Sequence, residues 1–212
     1  VMFVGGLAVL GNLVRYFGES VIGEWRGTRD IDLALKKRSL SYLVDTFFDS
    51  IDIAGKSTST PNKLTIRGTS IYFDNVGLPA ASVDFYIPDA KSGRWIAICN
   101  HEIFEHHFDN KVTLFGISVN VLPLLPLLDM KLYIDCSNGR PRKRDCEDIR
   151  NLIALAERHE IKQETIKGYL AYHKRDRLKR ILSDKCCRDN DEGKLVIESS
   201  KSYMEKLLRW EC

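Results

Sequence analysis

Three aspartates stand in sequence contexts that suit metal chemistry. Asp30 and Asp32 lie one residue apart in a segment that reads as a strand, and Asp84 lies between apolar residues in a second such segment. Residues i and i+2 of a strand share one face, with Cα atoms about 6–7 Å apart. At an effective dielectric of about 20, two carboxylates about 5 Å apart repel each other by roughly 3 kcal/mol. A divalent cation such as Mg²⁺ or Mn²⁺ would reverse that sign, so these residues are predicted to bind metal and to serve phosphate chemistry.

A glycine pair precedes the first apolar segment with helical periodicity. Gly5 and Gly6 lack Cβ atoms, so the backbone there can approach a phosphate closely. The N–H groups at the start of the following helix would point toward that phosphate. The pair is therefore a candidate phosphate-binding turn beside the predicted metal ions.

Each candidate residue also has a plainer structural interpretation. Asp30 and Asp32 alone could form an exposed strand face, and Asp84 alone could be a turn or edge residue. Lys131 could be a solvated helix position, and Asp145 could be the N-cap of its helix. It is the joint occurrence of these residues that favours the functional interpretation.

Histidines at 101, 106 and 107 raise the question of a zinc site. The HExxH motif requires its second histidine at position 105, where this chain has Glu105. The sequence therefore disfavours zinc.

The elements that would carry these residues predict an α+β fold, with a mixed sheet flanked by helices. Alternating β-branched and aromatic residues predict strands at 1–4, 31–35, 64–66, 70–73, 82–87, 103–108 and 111–119, with a turn at 109–110 before the last. Apolar residues at helical spacing predict helices at 7–16, 39–48, 124–135, 145–159, 161–172, 175–182 and 201–210.

The order of these elements predicts two regions. Strands dominate up to about residue 121, and helices dominate after it, so we expect a catalytic domain at 1–121 and a helical C-terminal region at 122–212. A chain of 212 residues buries about 70% of the surface that its unfolded form exposes, enough for one substantial domain plus a helical appendage.

The net charge of +3 is too small to indicate a nucleic-acid partner by itself. The cations are clustered, however, and phosphate-rich partners and solvated helix faces are both compatible with the clusters. The two clusters are Arg140, Arg142, Lys143, Arg144 and Arg150, and Lys174, Arg175, Arg177, Lys179 and Arg180.

The apolar segments do not suggest a membrane protein. Residues 1–14 are too few to span a bilayer, and 122–128 is shorter still and contains Pro123 and Pro126. Six cysteines form no CxxC pair, so we expect thiols in a reducing compartment and a cytoplasmic location.

The motifs together resemble a known family. Gly5-Gly6, the segment Arg26-Gly27-Thr28-Arg29-Asp30-Ile31-Asp32-Leu33 and the strand residue Asp84 are similar to the signature of the polymerase β-like minimal nucleotidyltransferase superfamily. Among the groups of this superfamily, the chain most resembles the AbiEii-type toxins. Two downstream segments resemble that group's lysine helix and its basic-Asp-x-x-Asp helix start: Leu125-Pro126-Leu127-Leu128-Asp129-Met130-Lys131-Leu132 and Arg142-Lys143-Arg144-Asp145-Cys146-Glu147-Asp148-Ile149.

The resemblance covers about residues 1–155 and implies a role for each matching residue. Asp30, Asp32 and Asp84 would hold Mg²⁺ or Mn²⁺, with Asp84 helping to deprotonate the acceptor. Nucleotide-binding residues would be Gly5 and Gly6 at the triphosphate, Arg26 and Lys131 as cations, and Asp145 near the nucleotide or the acceptor. Many members have Gly-Ser where this chain has Gly5-Gly6, so one hydroxyl contact to phosphate is missing.

The implied activity is metal-dependent transfer of a nucleoside monophosphate from an NTP to a hydroxyl. The acceptor could belong to tRNA, a protein or a small molecule, and the chain could be the toxin of a toxin–antitoxin pair with an antitoxin protein as partner. A non-catalytic module of the same fold, binding RNA or a partner protein, is the alternative.

Overall fold

The structure, a computed structural model, describes residues 1–25, 27–28, 30–34, 63–66, 82–86, 110–133, 143–170, 172–183 and 197–209. The predicted helix at 39–48, the predicted strands at 70–73 and 103–108, and Arg26 lie outside the described residues. Helices and strands both occur in the described part, which confirms the α+β class.

Among the described residues, four strands form the main sheet. They are β1 (Met2–Phe3), β2 (Asp30–Ala34), β3 (Lys63–Ile66) and β4 (Ser82–Tyr86), in the order β1-β2-β4-β3. β2 and β4 run parallel, whereas β1 pairs with β2 and β3 pairs with β4 in antiparallel fashion. The strands predicted at 31–35, 64–66 and 82–87 are therefore confirmed to within one residue at each end.

The first helix, α1, spans Gly5–Phe17 and therefore includes the glycine pair that the sequence placed in a turn. The Val4 N–H donates to the Asp32 carbonyl at 2.9 Å, which ties the chain to β2 just before the helix. Gly5 then adopts φ 62°, a left-handed conformation in which glycine carries no steric penalty. The change of direction needed to start the helix thus takes place at Gly5 itself.

The segment predicted as one strand at 111–119 is a β-hairpin, so that prediction is wrong. β5 (Lys111–Leu114) pairs with β6 (Ile117–Asn120) across the two-residue turn Phe115-Gly116. Both turn residues have positive φ, 52° and 77°, as a type I′ turn requires. Asparagine is the usual first residue of such turns, and the phenylalanine at that position concealed the signal.

The end of this hairpin joins the edge of the main sheet. Val121 forms a parallel bridge with Phe3, and the Leu122 N–H donates to the Phe3 carbonyl at 2.9 Å. The Asn120 side chain donates to the Val1 carbonyl at 3.3 Å. These bonds satisfy backbone groups of β1 on the side that β2 leaves open.

Five helices follow among the described residues. They are α2 (Leu124–Tyr133), α3 (Lys143–Arg158), α4 (Gln163–Tyr169), α5 (Tyr172–Ser183) and α6 (Lys201–Leu208). α3 is amphipathic and buries Ile149, Leu152, Ile153 and Ala156, as the helical spacing predicts. α2 differs, because residues 126–132 are all buried and the helix has no exposed stripe over that length.

Polar contacts fasten the last helix to α3 and α4. The Ser200 hydroxyl caps α6 by accepting from the Tyr203 N–H at 3.2 Å, and the Glu157 carboxylate accepts from both the backbone N–H and the hydroxyl of Ser200. The Tyr203 hydroxyl donates to the Ile161 carbonyl at 2.6 Å, and Lys167 donates to the Arg209 carbonyl at 2.6 Å. Burial and the nearby Glu157 and Glu164 raise the pKa of Tyr203 to about 12.

The chain divides into two compact units that are not contiguous in sequence. One comprises Val1–Ala8 and Gly27–Leu122, and the other comprises Val9–Arg26 and Pro123–Cys212. Residues 9–26 group with the C-terminal helices, although they precede most of the described strands in sequence. None of the described helices has the length and apolar content that crossing a bilayer requires.

Candidate functional site

The predicted metal ligands lie on two adjacent strands. β2 carries Asp30 and Asp32, and β4 carries Asp84. The parallel register sets Asp32 directly opposite Asp84 and Asp30 opposite Ser82. Because paired residues of neighbouring strands share a face, and residues two apart in one strand do too, the backbone assigns positions 30, 32 and 84 to one face of the sheet. Neighbouring strands are about 4.8 Å apart, so positions 32 and 84 are adjacent across the strand pair.

The Asp32 carboxylate lies against the start of α1. A Cβ built on Gly5 would stand 2.0 Å from Asp32 Oδ2 and 2.7 Å from its carboxyl carbon. Only a glycine leaves room for the carboxylate at this point. Gly5 therefore brings the start of α1 and one predicted metal ligand into direct contact, and the first N–H groups of α1 add a positive dipole end there.

The side chains of Asp30 and Asp84 lie outside the described part of the structure, so only their backbone register is stated. Within the described side chains, which include that of Asp32, no group of three or more histidines, cysteines, aspartates and glutamates is arranged to hold a metal ion.

Lys131 and Asp145, the two predicted nucleotide-binding residues in the described part of the helical unit, lie together. Lys131 of α2 places its Nζ 2.7 Å from Asp148 Oδ2 and 3.7 Å from Asp145 Oδ1, both on α3. Lys131 is 5% exposed and Asp148 is fully buried. Lys131 is thus a buried cation between two carboxylates, not the solvated helix residue of the plainer interpretation. Asp145 lies inside the first turn of α3, which begins at Lys143, so it is not the N-cap.

Asp148 is the partner that the sequence interpretation missed. It lies three residues after Asp145, and residues i and i+3 of a helix are neighbours on one face. The signal was available, because the basic-Asp-x-x-Asp pattern contains both aspartates, although the sequence interpretation gives a role to Asp145 alone. What the sequence could not supply was which helix would face the pair.

A second buried ion pair joins α2 to α5. Lys174 Nζ lies 2.5 Å from Asp129 Oδ2, and the two residues are 7% and 3% exposed. Lys174 had been grouped with the basic cluster of α5, and the structure removes it from any solvated basic surface. Lys179 and Arg180 of that cluster are exposed.

Tyr169 at the end of α4 lies near the same pair. Burial, and secondarily the charge of Asp129, raise the pKa of Tyr169 to about 12. Among the described residues its hydroxyl has no hydrogen-bond partner. The phenol therefore remains neutral over the ordinary pH range.

The expectation of free thiols is wrong for Cys146. This buried residue of the first turn of α3 is half of a disulfide bond. The chain's other cysteines lie outside the described residues, and so does its partner. Disulfide pairing depends on proximity in three dimensions, which cysteine spacing alone does not reveal.

No protein-family model matches the chain, and no curated protein matches it. The resemblance to polymerase β-like nucleotidyltransferases therefore remains a prediction from the motifs. The geometry above stands independently of it: two acidic strands in parallel register, a glycine that makes room for one carboxylate, and a buried lysine between two further carboxylates.

Proposed function

We propose that the protein is a metal-dependent nucleotidyltransferase, which moves a nucleoside monophosphate from an NTP to a hydroxyl and releases pyrophosphate. The observation that carries the proposal is the register of β2 and β4. It sets Asp32 opposite Asp84, while Gly5 at the start of α1 makes room for the Asp32 carboxylate.

The chemistry of the donor set fits Mg²⁺ or Mn²⁺. Carboxylate oxygens are the hard ligands that these ions prefer, and Asp30, Asp32 and Asp84 would supply them from one face of the sheet. When bound, such ions neutralise charge on the phosphates and lower the pKa of the attacking hydroxyl. The contact between Gly5 and Asp32 would keep the glycine turn beside the ligands.

The remaining steps fall to the protein's own groups. The acceptor oxygen attacks the α-phosphorus in line, and Asp84 accepts the hydroxyl proton. A bond forms between that oxygen and phosphorus, and the bond to the α–β bridging oxygen breaks as pyrophosphate leaves. Gly5, Gly6 and the other N–H groups at the start of α1 would bind phosphate oxygens, with Lys131 and Arg26 neutralising charge and Asp145 orienting the nucleotide or acceptor.

Nucleotide transfer can be tested with radiolabelled ATP, CTP, GTP and UTP, Mg²⁺ or Mn²⁺, and bulk tRNA. We expect label to appear in an acceptor and to disappear with Asp32→Asn, because the variant weakens the metal site. Asp176→Asn, which neutralises an exposed carboxylate on α5, serves as the matched control and should transfer normally. Absence of both label transfer and NTP binding would refute the proposal.

The acceptor and the cellular role belong to the same proposal. The acceptor hydroxyl is that of tRNA, a protein or a small molecule, and the cellular role is that of a toxin neutralised by an antitoxin protein. Expression should then arrest growth, and the Asp30→Asn, Asp32→Asn double variant should relieve the arrest.

A second candidate is a non-catalytic module that binds RNA or a partner protein. The observation that favours it is the exposed part of the α5 cluster, which can contact phosphates without any chemistry. Full biological effect in the Asp30→Asn, Asp32→Asn variant would favour this candidate over transfer.

A further inference from the structure

The environment of α2 raises the question of what sets the rotation of this helix about its own axis. Residues 126–132 are buried without interruption over nearly two turns. A helix that is apolar and buried on all sides has no stripe that distinguishes one orientation from another. α2 packs against α3, α4 and α5, so it has neighbours on several sides. Apolar packing alone therefore specifies its rotation poorly.

Two charged residues break this uniformity. Asp129 and Lys131 are two positions apart, which on an α-helix turns them about 200° from each other around the axis. Asp129 binds Lys174 of α5 at 2.5 Å, and Lys131 binds Asp148 of α3 at 2.7 Å. The two ion pairs thus hold opposite sides of one helix.

Rotation of α2 would break both pairs together. All four partners are at most 7% exposed, so a displaced charge would not reach water. Breaking a buried pair while leaving one charge unpaired is strongly destabilising, and buried polar pairs can for this reason select one register among alternatives.

We propose that the Asp129–Lys174 pair locks the rotation of α2 and thereby positions the Lys131 ammonium between Asp148 and Asp145. Lys174 is a positioning residue in this arrangement, and it gives the C-terminal helices a role at the predicted nucleotide-binding lysine. The part of the proposal that concerns nucleotide rests on the proposed function, whereas the structural lock does not.

The lock is tested by the coupling between the two pairs. Urea unfolding measures how much Lys131→Met changes the unfolding equilibrium constant, first in the wild type and then in the Asp129→Asn, Lys174→Met background. Both charges of the second pair are removed in that background, so that neither is left buried alone. We expect the effect of Lys131→Met on the unfolding equilibrium constant to be at least tenfold smaller in that background, because Lys131 has then lost its position. Equal effects in both backgrounds would overturn the lock, since separate sites are additive.

Two further variants make the coupling decisive. If the Lys131→Met variant does not fold, the double variant Lys131→Met, Asp148→Asn takes its place in the same double-mutant cycle. Lys206→Met removes an exposed lysine of α6, and in that background Lys131→Met should keep its full effect.

A nucleotide titration separates this inference from the proposed function. With a fluorescent ATP analogue and Mg²⁺, the Asp129→Asn, Lys174→Met variant should bind at least tenfold more weakly than wild type, while Lys174→Arg keeps most of the affinity. Circular dichroism confirms at the same temperature that each variant is folded. Wild-type affinity in the folded double variant would refute the positioning role. If the wild type itself binds no nucleotide, the proposed function is refuted. The unfolding cycle tests the lock in either case.

Discussion

Gly5 combines two constraints that most glycines do not share. Its φ of 62° lies in the left-handed region, and the space that a Cβ would fill belongs to the Asp32 carboxylate. Gly116 in the hairpin turn has the first constraint only, because its φ is 77° and nothing lies within 4 Å of its absent Cβ. The two glycines therefore separate backbone strain from displacement of the carboxylate.

Gly5→Ala should lower the free energy of unfolding by about 2–5 kcal/mol, from left-handed strain together with overpacking against Asp32. Gly116→Ala should cost about 1–2 kcal/mol from the strain alone. Urea denaturation of both variants measures the difference. Equal losses would contradict the close approach of Gly5 to Asp32.

Two tyrosines with pKa values of about 12, the buried Tyr203 and the half-buried Tyr169, differ in their hydroxyl contacts. Tyr203 donates to the Ile161 carbonyl, whereas Tyr169 has no hydrogen-bond partner among the described residues. Tyr203→Phe should therefore cost about 0.5–1.5 kcal/mol at neutral pH, and Tyr169→Phe should be close to neutral or stabilising.

The same tyrosines make the stability depend on alkaline pH. A raised folded pKa means that the folded state holds its proton more tightly than the unfolded state, whose tyrosines titrate near 10. Their contribution is therefore fully present below pH 10 and is lost as the pH rises toward about 12. Urea midpoints across this window should fall less steeply in either Phe variant than in wild type, and parallel curves would contradict the shifts.

At the level of elements, the basic cluster divides into a buried and an exposed part. Lys174 is buried in an ion pair with Asp129, while Lys179 and Arg180 are exposed on α5. A helix that binds RNA phosphates releases counterions, and each contact contributes about 0.7 to the slope of log affinity against log salt on single strands.

Lys179→Gln, Arg180→Gln should therefore lower the salt slope of RNA binding by about 1.4, if both contact phosphate. Lys201→Gln, Lys206→Gln removes the same charge from exposed positions of α6 and is the matched control. Filter binding at several salt concentrations measures both slopes. The same loss in both variants would mean that net charge, not the face of α5, governs binding.

The elements that the sequence predicts well are those with one strong periodic signal. α3 was predicted at 145–159 and spans Lys143–Arg158, because its apolar residues recur at helical spacing. The hairpin at 111–120 was missed because its turn carries Phe115 instead of a residue suited to positive φ. The partners of Asp129 and Lys131 also could not be predicted, since they depend on which helices pack together and not on local spacing.

At the level of the whole molecule, the domain boundaries show why a linear division is incomplete. The shift from strands to helices predicts a break near residue 121, and the units meet in sequence at Leu122. Residues 9–26 nevertheless group with the helical unit. A scan of composition along the chain cannot detect that two segments far apart in sequence belong to one unit. Buried Val9, Leu10 and Leu13 belong to this segment.

A fragment of residues 123–212 should therefore not unfold cooperatively, because it lacks apolar side chains of its own unit. Each fully buried leucine or valine contributes about 1.5–3 kcal/mol, a large share of the stability of a small domain. Thermal circular dichroism of the fragment, with and without a peptide of residues 9–26, tests this. A cooperative transition in the fragment alone would contradict the discontinuous unit.

The tip of the β5–β6 hairpin has a practical consequence for anyone preparing the protein. Phe115 holds a left-handed conformation that costs a bulky side chain energy, and both it and Ile117 are 64% exposed. Apolar groups displayed in this way favour self-association at the concentrations used for crystallisation or NMR. Phe115→Asn would give the turn its preferred Asn-Gly sequence and remove an exposed apolar side chain. It is therefore the first substitution to make when a sample less prone to self-association is needed.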